Sequence, residues 1–526
     1  MLTFNLLHEP WIPVQIGDRP AEVGLREALH RAGDIEGVED ASPLVTIALH
    51  RLLLALFHRV YGPASTDDWA ALWRADRLDS APLDAYLDRW SNRFDLFGAD
   101  HPFYQTTNTR GAGDVSVAIL AHELGGTNGP YFSHVPEELP LSPAEAARYL
   151  LAYQAFARPG LHTPVPGESN TSSAEAGLLS FSAVCLVRGE TLRETLLLNA
   201  VLYDGKDHPF AGQRDDTPVW EREAPHGREV RLPFGYLDWL TWQSRSIRLL
   251  PDADGRVRRS VVLKGVQLPK DVSAHEYETM VAYRPVEKPA GQPDKPIGFM
   301  PERAVWRDSL ALFEETTRAR CQPRTLRALA ATGRQRALGK RRHFPLDVFG
   351  VHFIKGQGSV GLWRHERLPL PLAYLTDSDL HERLDQAIDV TERTAKALKT
   401  ATWLLAREVL APQYENREPD RKAVDALVQQ LAPERRYWPQ LEPHFAAFLT
   451  SQAQDWVQKD GQRVPGRTAL GAWTDVVCRA AEVSLAGCAG QIGSSGRAVQ
   501  AMVPAQRVLG RTVHQVRQEK EKEDAA

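Results

Sequence analysis

Apolar and polar positions change period several times along the chain. Trp11-Ile12-Pro13-Val14 reads as an extended segment, because Pro10 and Pro13 hold the backbone out of a helix. Residues 1–30 therefore predict short strands followed by a helix. Residues 42–60 (SPLVTIALHRLLLALFHRV) are almost wholly apolar, with Ser42 as a start signal and Pro43 just inside, which predicts a buried helix. A second helical stretch covers 66–91 and is interrupted near Pro82. From 100 to 300 the periodicity is lost. Short β-like runs at 183–188 and 259–263 sit between loops rich in Gly and Pro, 203–235 is polar and turn-rich, and 283–302 carries five prolines.

After residue 376 a helical period dominates. Ile388, Ala395, Leu398, Leu405 and Val409 recur at spacings of three, four and seven. Val424, Leu427 and Leu431 mark a second helix. Leu441, Phe445, Phe448, Leu449 and Trp456 mark a third, and Leu470, Trp473, Val477 and Ala481 a fourth. The predicted fold is α+β: an irregular mixed N-terminal domain with long loops over 1–375, a four-helix bundle over 376–510, and a disordered charged tail over 511–526.

Charge alters this picture only locally. The 526 residues carry a net charge of −4, whereas a free-standing nucleic-acid binder is usually basic. Any nucleic-acid role must come from local patches or from a site shared with basic partners. Cys185, Cys321, Cys478 and Cys488 form no CxxC pair, which argues against a zinc ribbon or a disulfide framework. The N-terminus lacks a basic n-region, and no apolar run reaches the roughly 20 residues that span a bilayer, so a soluble cytoplasmic protein is expected.

Two local patterns stand out. Gly356-Gln357-Gly358-Ser359-Val360-Gly361 matches G-x-G-x-x-G, but Pro369 and Pro371 follow too closely for the crossover helix of a dinucleotide site. The remaining readings are a plain flexible loop, or a loop whose glycines let its backbone approach a partner and present Gln357 at its tip. Upstream, 318–342 holds Arg318, Arg320, Arg324, Arg327, Arg334, Arg336, Lys340, Arg341 and Arg342 with no acidic residue. Nine positive charges repel unless an anion is near, so this run reads as a phosphate-binding surface. A smaller run is Arg256, Arg258, Arg259 and Lys264. No HExxH and no G-x-S-x-G occurs, and Asp215-Asp216 reads as a surface pair.

Five motifs carry a resemblance over essentially the whole chain. They are the opening Phe4-Asn5-Leu6-Leu7-His8-Glu9-Pro10-Trp11-Ile12-Pro13-Val14, then His101-Pro102-Phe103-Tyr104-Gln105, Gly126-Thr127-Asn128, Leu186-Val187-Arg188-Gly189, and Gly356-Gln357-Gly358-Ser359 with Trp363-Arg364-His365-Glu366 behind it. In this order they resemble the CasA family, the large subunits of type I-E CRISPR Cascade complexes. The resemblance implies a non-catalytic protein without metal or cofactor. It would read a protospacer-adjacent motif in double-stranded target DNA, largely from the minor groove, wedge the duplex open, and help recruit a helicase-nuclease. Implied partners are the 5′ handle of the guide RNA and the other Cascade subunits, with no membrane.

By position in that family, Gln357 matches the wedge, flanked by Gly356, Gly358 and Ser359. Gly160 falls at the glycine loop, Lys264 and Lys270 are candidates for a lysine finger, and Tyr131 and Phe132 fall at an aromatic loop near the guide handle. Arg334, Arg336, Lys340 and Arg341 would add phosphate contacts. The alternative is a nucleotide-dependent or RNA-processing enzyme with the 356–361 loop at its active site. A third reading is a scaffold that bridges subunits without reading DNA.

Overall fold

The computed structural model describes residues 2–109, 111–124, 139–160, 174–213, 216–223, 229–284, 295–314, 322–354, 359–411, 418–459 and 462–525. They divide into two compact units, Met1–Leu368 and Pro369–Ala526.

The first unit is α+β, as its mixed periodicity implies. It opens with antiparallel strands β1 (Ile12–Ile16) and β2 (Arg19–Val23), joined at Gly17, whose φ of +55° suits a residue without a Cβ. Trp11 is buried and donates its indole N–H to the Leu6 carbonyl at 2.9 Å, which fixes the opening motif in the core. Helix α1 (Pro43–Tyr61) is buried at every residue from 44 to 58. It is long and apolar enough to cross a membrane, but that apolar surface is already buried inside the unit. Pro43 sits at its first turn, and the Ser42 hydroxyl makes no capping bond. The stretch 66–91 forms α2 (Thr66–Arg74) and α3 (Ser80–Arg89), and the break falls at 75–79 rather than at Pro82. Pro82 lies in the first turn of α3, where a missing N–H costs nothing, and the Asp79 carboxylate caps that helix.

Helix α4 (Pro143–Phe156) packs on α1 and starts with a capping box. The Ser142 hydroxyl accepts from the Glu145 N–H at 3.2 Å, and the Glu145 carboxylate accepts from the Ser142 N–H at 2.8 Å. Strand β3 (Val184–Val187) precedes α5 (Leu192–Asn199). Strands β4 (Arg245–Pro251) and β5 (Val257–Lys264) pair antiparallel. Short helices α6 (Arg324–Leu329) and α7 (Thr332–Leu338) lead into two long strands, β6 (His343–Phe353) and β7 (Val360–Pro371).

Burial holds the His50 imidazole down to about 3, and those of His122 and His208 to about 4. Unfolded imidazoles take up a proton near 6.5, so below that pH the unfolded chain binds more protons than the folded one. Stability therefore falls as pH drops below 6.5. Asp216, raised to about 6 mainly by burial, works in the opposite direction, as do Asp40 and Asp385, whereas burial of His58 adds a fourth lowered imidazole. Each histidine should cost about 2 kcal/mol at pH 5. Thermal melts at pH 7 and pH 5 should show a clear fall in midpoint; identical midpoints would refute this.

The second unit contains α8 (Ser378–Leu410), α9 (Arg421–Leu431), α10 (Pro433–Gln452), α11 (Thr468–Ile492) and α12 (Gly496–Ala525). Helix α8 packs against α10, α11 and α12, and the short α9 also lies on it. Two side chains fix the middle of α8. The Trp473 indole donates to the Ala387 carbonyl at 3.2 Å, and the Tyr437 hydroxyl donates to the Thr391 carbonyl at 3.0 Å. Trp456, expected in the third helix, lies instead in a short strand, Trp456–Lys459. The fourth long helix is α12, so helix replaces the expected tail. Ala498, Ala501, Ala505, Leu509, Val513 and Val516 are buried at spacings of three and four, which gives α12 its apolar stripe.

Candidate nucleic-acid interface

Strands β6 and β7 are neighbours in a three-stranded sheet with β3 at the far edge. The Ile354 N–H donates to the Ser359 carbonyl at 2.8 Å, and Ser359 is buried. Only residues 355–358 separate these joined ends. Gly356, Gln357 and Gly358 lie outside the described residues. The glycine motif is thus flanked by a strand on each side, and a dinucleotide site would require a helix after it.

The base of this hairpin carries a charged knot. The buried Asp347 carboxylate accepts from Arg367 Nε at 2.6 Å and Nη2 at 2.9 Å, and His365 Nε2 lies 3.0 Å away. Burial alone would raise its pKa, but Arg367 and His365 outweigh that and hold it down to about 2. The His365 ring stacks on Phe349 with centroids 4.5 Å apart. These contacts stiffen the two strands where they enter the sheet.

The basic run does not form one surface. Arg334 is completely buried. It donates from Nη2 to the Ala200 carbonyl at 2.8 Å, and its guanidinium carbon lies 4.8 Å from the Trp69 ring centroid. Burial pulls its pKa down to about 9. Arg324 and Arg327 are also buried, bonded to the Glu276 carbonyl and the Asp207 carboxylate. Arg341 is half-buried, paired with Glu194 at 2.7 Å and Glu190 at 3.2 Å. The fold thus encloses Arg334, expected as a phosphate contact, whereas half-exposed Arg341, expected in the same role, is shared with two carboxylates. A run without acids along the chain meets its acids in space, from Glu190, Glu194 and Asp207. Arg336, Lys340 and Arg342 remain exposed, on α7 and the turn after it. In the smaller run, Arg258 pairs with Asp252 at 2.9 Å and Arg259 with Asp114 at 3.0 Å.

Gly160 has φ +138°, a region that L side chains rarely adopt, and nothing lies within 4 Å of where its Cβ would be. Of the two lysines, Lys264 is enclosed at 7% exposure at the end of β5, whereas Lys270 is exposed. Tyr131 and Phe132 lie outside the described residues. Asp216, expected as a surface charge, is buried and accepts from the Leu237 N–H. Sequence reasoning passed over Arg245, which is 1% exposed and bonded to three backbone carbonyls. Its only signal was an arginine opening a strand that then runs into Ile247, Leu249 and Leu250. Among the described residues, no group of three or more His, Cys, Asp or Glu could hold a metal ion.

A model of the family described as CRISPR-associated protein Cse1 matches residues 5–483. The CasA/Cse1 protein of Thermus thermophilus is 31% identical, over 98% of each chain. The crystal structure of Thermus thermophilus CasA superposes with a TM-score of 0.80 at 28% identity, covering 98% of this chain and 100% of that one. Cse1 from Acidimicrobium ferrooxidans superposes with a TM-score of 0.80 at 27% identity, covering 99% of each. A chain from a CRISPR RNA-guided surveillance complex shares the fold, with a TM-score of 0.76 at 22% identity and coverage of 97% and 100%. Matched along nearly its whole length by that family model, this chain belongs to the CRISPR-associated protein Cse1 family.

Proposed function

We propose that this chain is the non-catalytic large subunit of an RNA-guided DNA surveillance complex. In this reading it samples duplex DNA for a short flanking motif, opens the first base pair beside it, and helps recruit a helicase-nuclease. The observation that carries the reading is a family match over residues 5–483, together with two long paired strands between which the sequence reads Gly356-Gln357-Gly358. A glutamine between two glycines at such a position can enter a base stack without a backbone clash. Gly160 and exposed Lys270 would face the motif. Tyr131 and Phe132 would stack on unpaired bases of the guide handle.

Gel shifts with the reconstituted complex and every flanking trinucleotide test the proposal. A few trinucleotides should bind at least tenfold more tightly than the rest. Equal affinity for all of them would leave only a scaffold role.

Arg336 and Lys340 make a separate prediction, because exposed cations that meet phosphates add affinity without sequence preference. Reversing both charges should weaken binding about equally on every trinucleotide. The slope of log affinity against log salt should fall by roughly 0.9 per lost contact. An unchanged salt slope would turn this patch toward a protein partner or toward solvent.

A further inference from the structure

We infer that Arg245 is a positioning residue that ties the Gly160 segment to the strand leading to Lys270. The inference rests on the reading above, in which Gly160 and Lys270 face the DNA motif. Arg245 opens β4 and is almost completely enclosed. Its Nη2 donates to the Arg158 carbonyl at 2.7 Å and to the Glu175 carbonyl at 2.6 Å, and its Nη1 donates to the Ser244 carbonyl at 2.7 Å. Arg158 and Glu175 stand on opposite sides of one stem. Gly160 and Ala174 bridge that stem with a reciprocal pair of backbone bonds, at 3.2 and 2.8 Å, and the Gly177 N–H donates to the Ala157 carbonyl at 2.8 Å. A single guanidinium nitrogen thus holds both sides together at the point where the chain leaves for 161–173.

The same residue is fixed to two other elements. Its backbone exchanges both hydrogen bonds with the Gln154 side chain of α4, at 2.8 and 2.9 Å. Across the sheet it is the registered partner of Lys264, the last residue of β5. The chain then passes through Gly265, where a Cβ would collide with the Gln243 carbonyl and the Arg245 backbone, and runs on to exposed Lys270. The stem carrying Gly160 and the strand that leads to Lys270 are therefore held together by one buried cation. Arg245 is enclosed and need touch no DNA to do this. A lysine there offers three donors from one nitrogen and cannot reproduce the planar fork that spans these carbonyls.

The test uses the full chain in the reconstituted complex, carrying Arg245→Gln, Arg245→Lys or Gly160→Ala. Hydrogen exchange at the Gly160 and Ala174 amides reads the stem directly. Exchange should quicken at least tenfold in Arg245→Gln and less in Arg245→Lys, with amides in the middle of β5 unchanged. The affinity ratio between the best and a neutral flanking trinucleotide should fall about tenfold, while affinity for the neutral one stays the same. A merely structural loss would lower both affinities together. If Arg245→Gln fails to fold, Arg245→Lys gives the same two readouts. Unchanged exchange overturns the clamp. Faster exchange with an intact ratio overturns the positioning role. Gly160→Ala then separates the causes: a lowered ratio keeps the DNA reading and removes only Arg245 from it, whereas an intact ratio removes the DNA reading of the stem itself.

Discussion

Gln357→Ala should leave the complex assembled and cut the rate of target opening by about tenfold to a hundredfold. Separating the first stacked pair costs a few kcal/mol, and guide pairing repays it only after the strand has parted. A side chain inserted in the stack lowers that first barrier. Alanine on the same backbone reaches no further than its Cβ and takes no part. A loss of roughly 1.4–2.7 kcal/mol in barrier lowering corresponds to the stated range. A fluorescent base analogue at the first target position would report opening in real time. Duplexes too short to open should bind the variant as they bind the parent. An unaltered opening rate would remove Gln357 from the mechanism.

The second large effect concerns stability. Arg334→Glu should lower stability by about 3–5 kcal/mol. The guanidinium sits fully inside the first unit, between the Trp69 ring and the Ala200 carbonyl, and its Nε and Nη1 have no hydrogen-bond partner. Trp69 is itself fixed, since its indole donates to the Leu197 carbonyl at 2.8 Å and its ring stacks on Trp73. A carboxylate there would place a negative charge against the ring face and a carbonyl oxygen, with no water to solvate it. The melting midpoint of the first unit should drop by roughly 5 °C. Arg336→Glu, two residues away and exposed, should melt within about 0.5 kcal/mol of the parent. If both variants melt alike, the burial of Arg334 does not hold in solution.

These two neighbours show where sequence reasoning stops. Arg334 and Arg336 look equivalent in a run without acids, and only the fold turns one inward. The acids that compensate the run, Asp207, Glu190 and Glu194, are more than a hundred residues away along the chain. Linear charge density cannot register them. Local signals fared better where the interaction is local. The apolar run at 42–60 is a buried helix, and the prolines after the glycine motif lie at the end of a strand. The break at 75–79 and the α12 stripe were hidden for different reasons. The first is marked by a capping aspartate rather than by proline, and the first half of the second is alanine, whose burial leaves a weak hydrophobic signal.

The long-range pairing of the basic run also sets where the first unit can be cut. A fragment ending before residue 320 would keep Asp207, Glu190 and Glu194 but lose the cations that answer them, along with the donor to the Ala200 carbonyl. The complementary fragment would carry uncompensated arginines. Neither half holds a closed set of charges, so the first unit should resist splitting into independently folding pieces at that point, and co-expressed halves should recover structure only by finding each other.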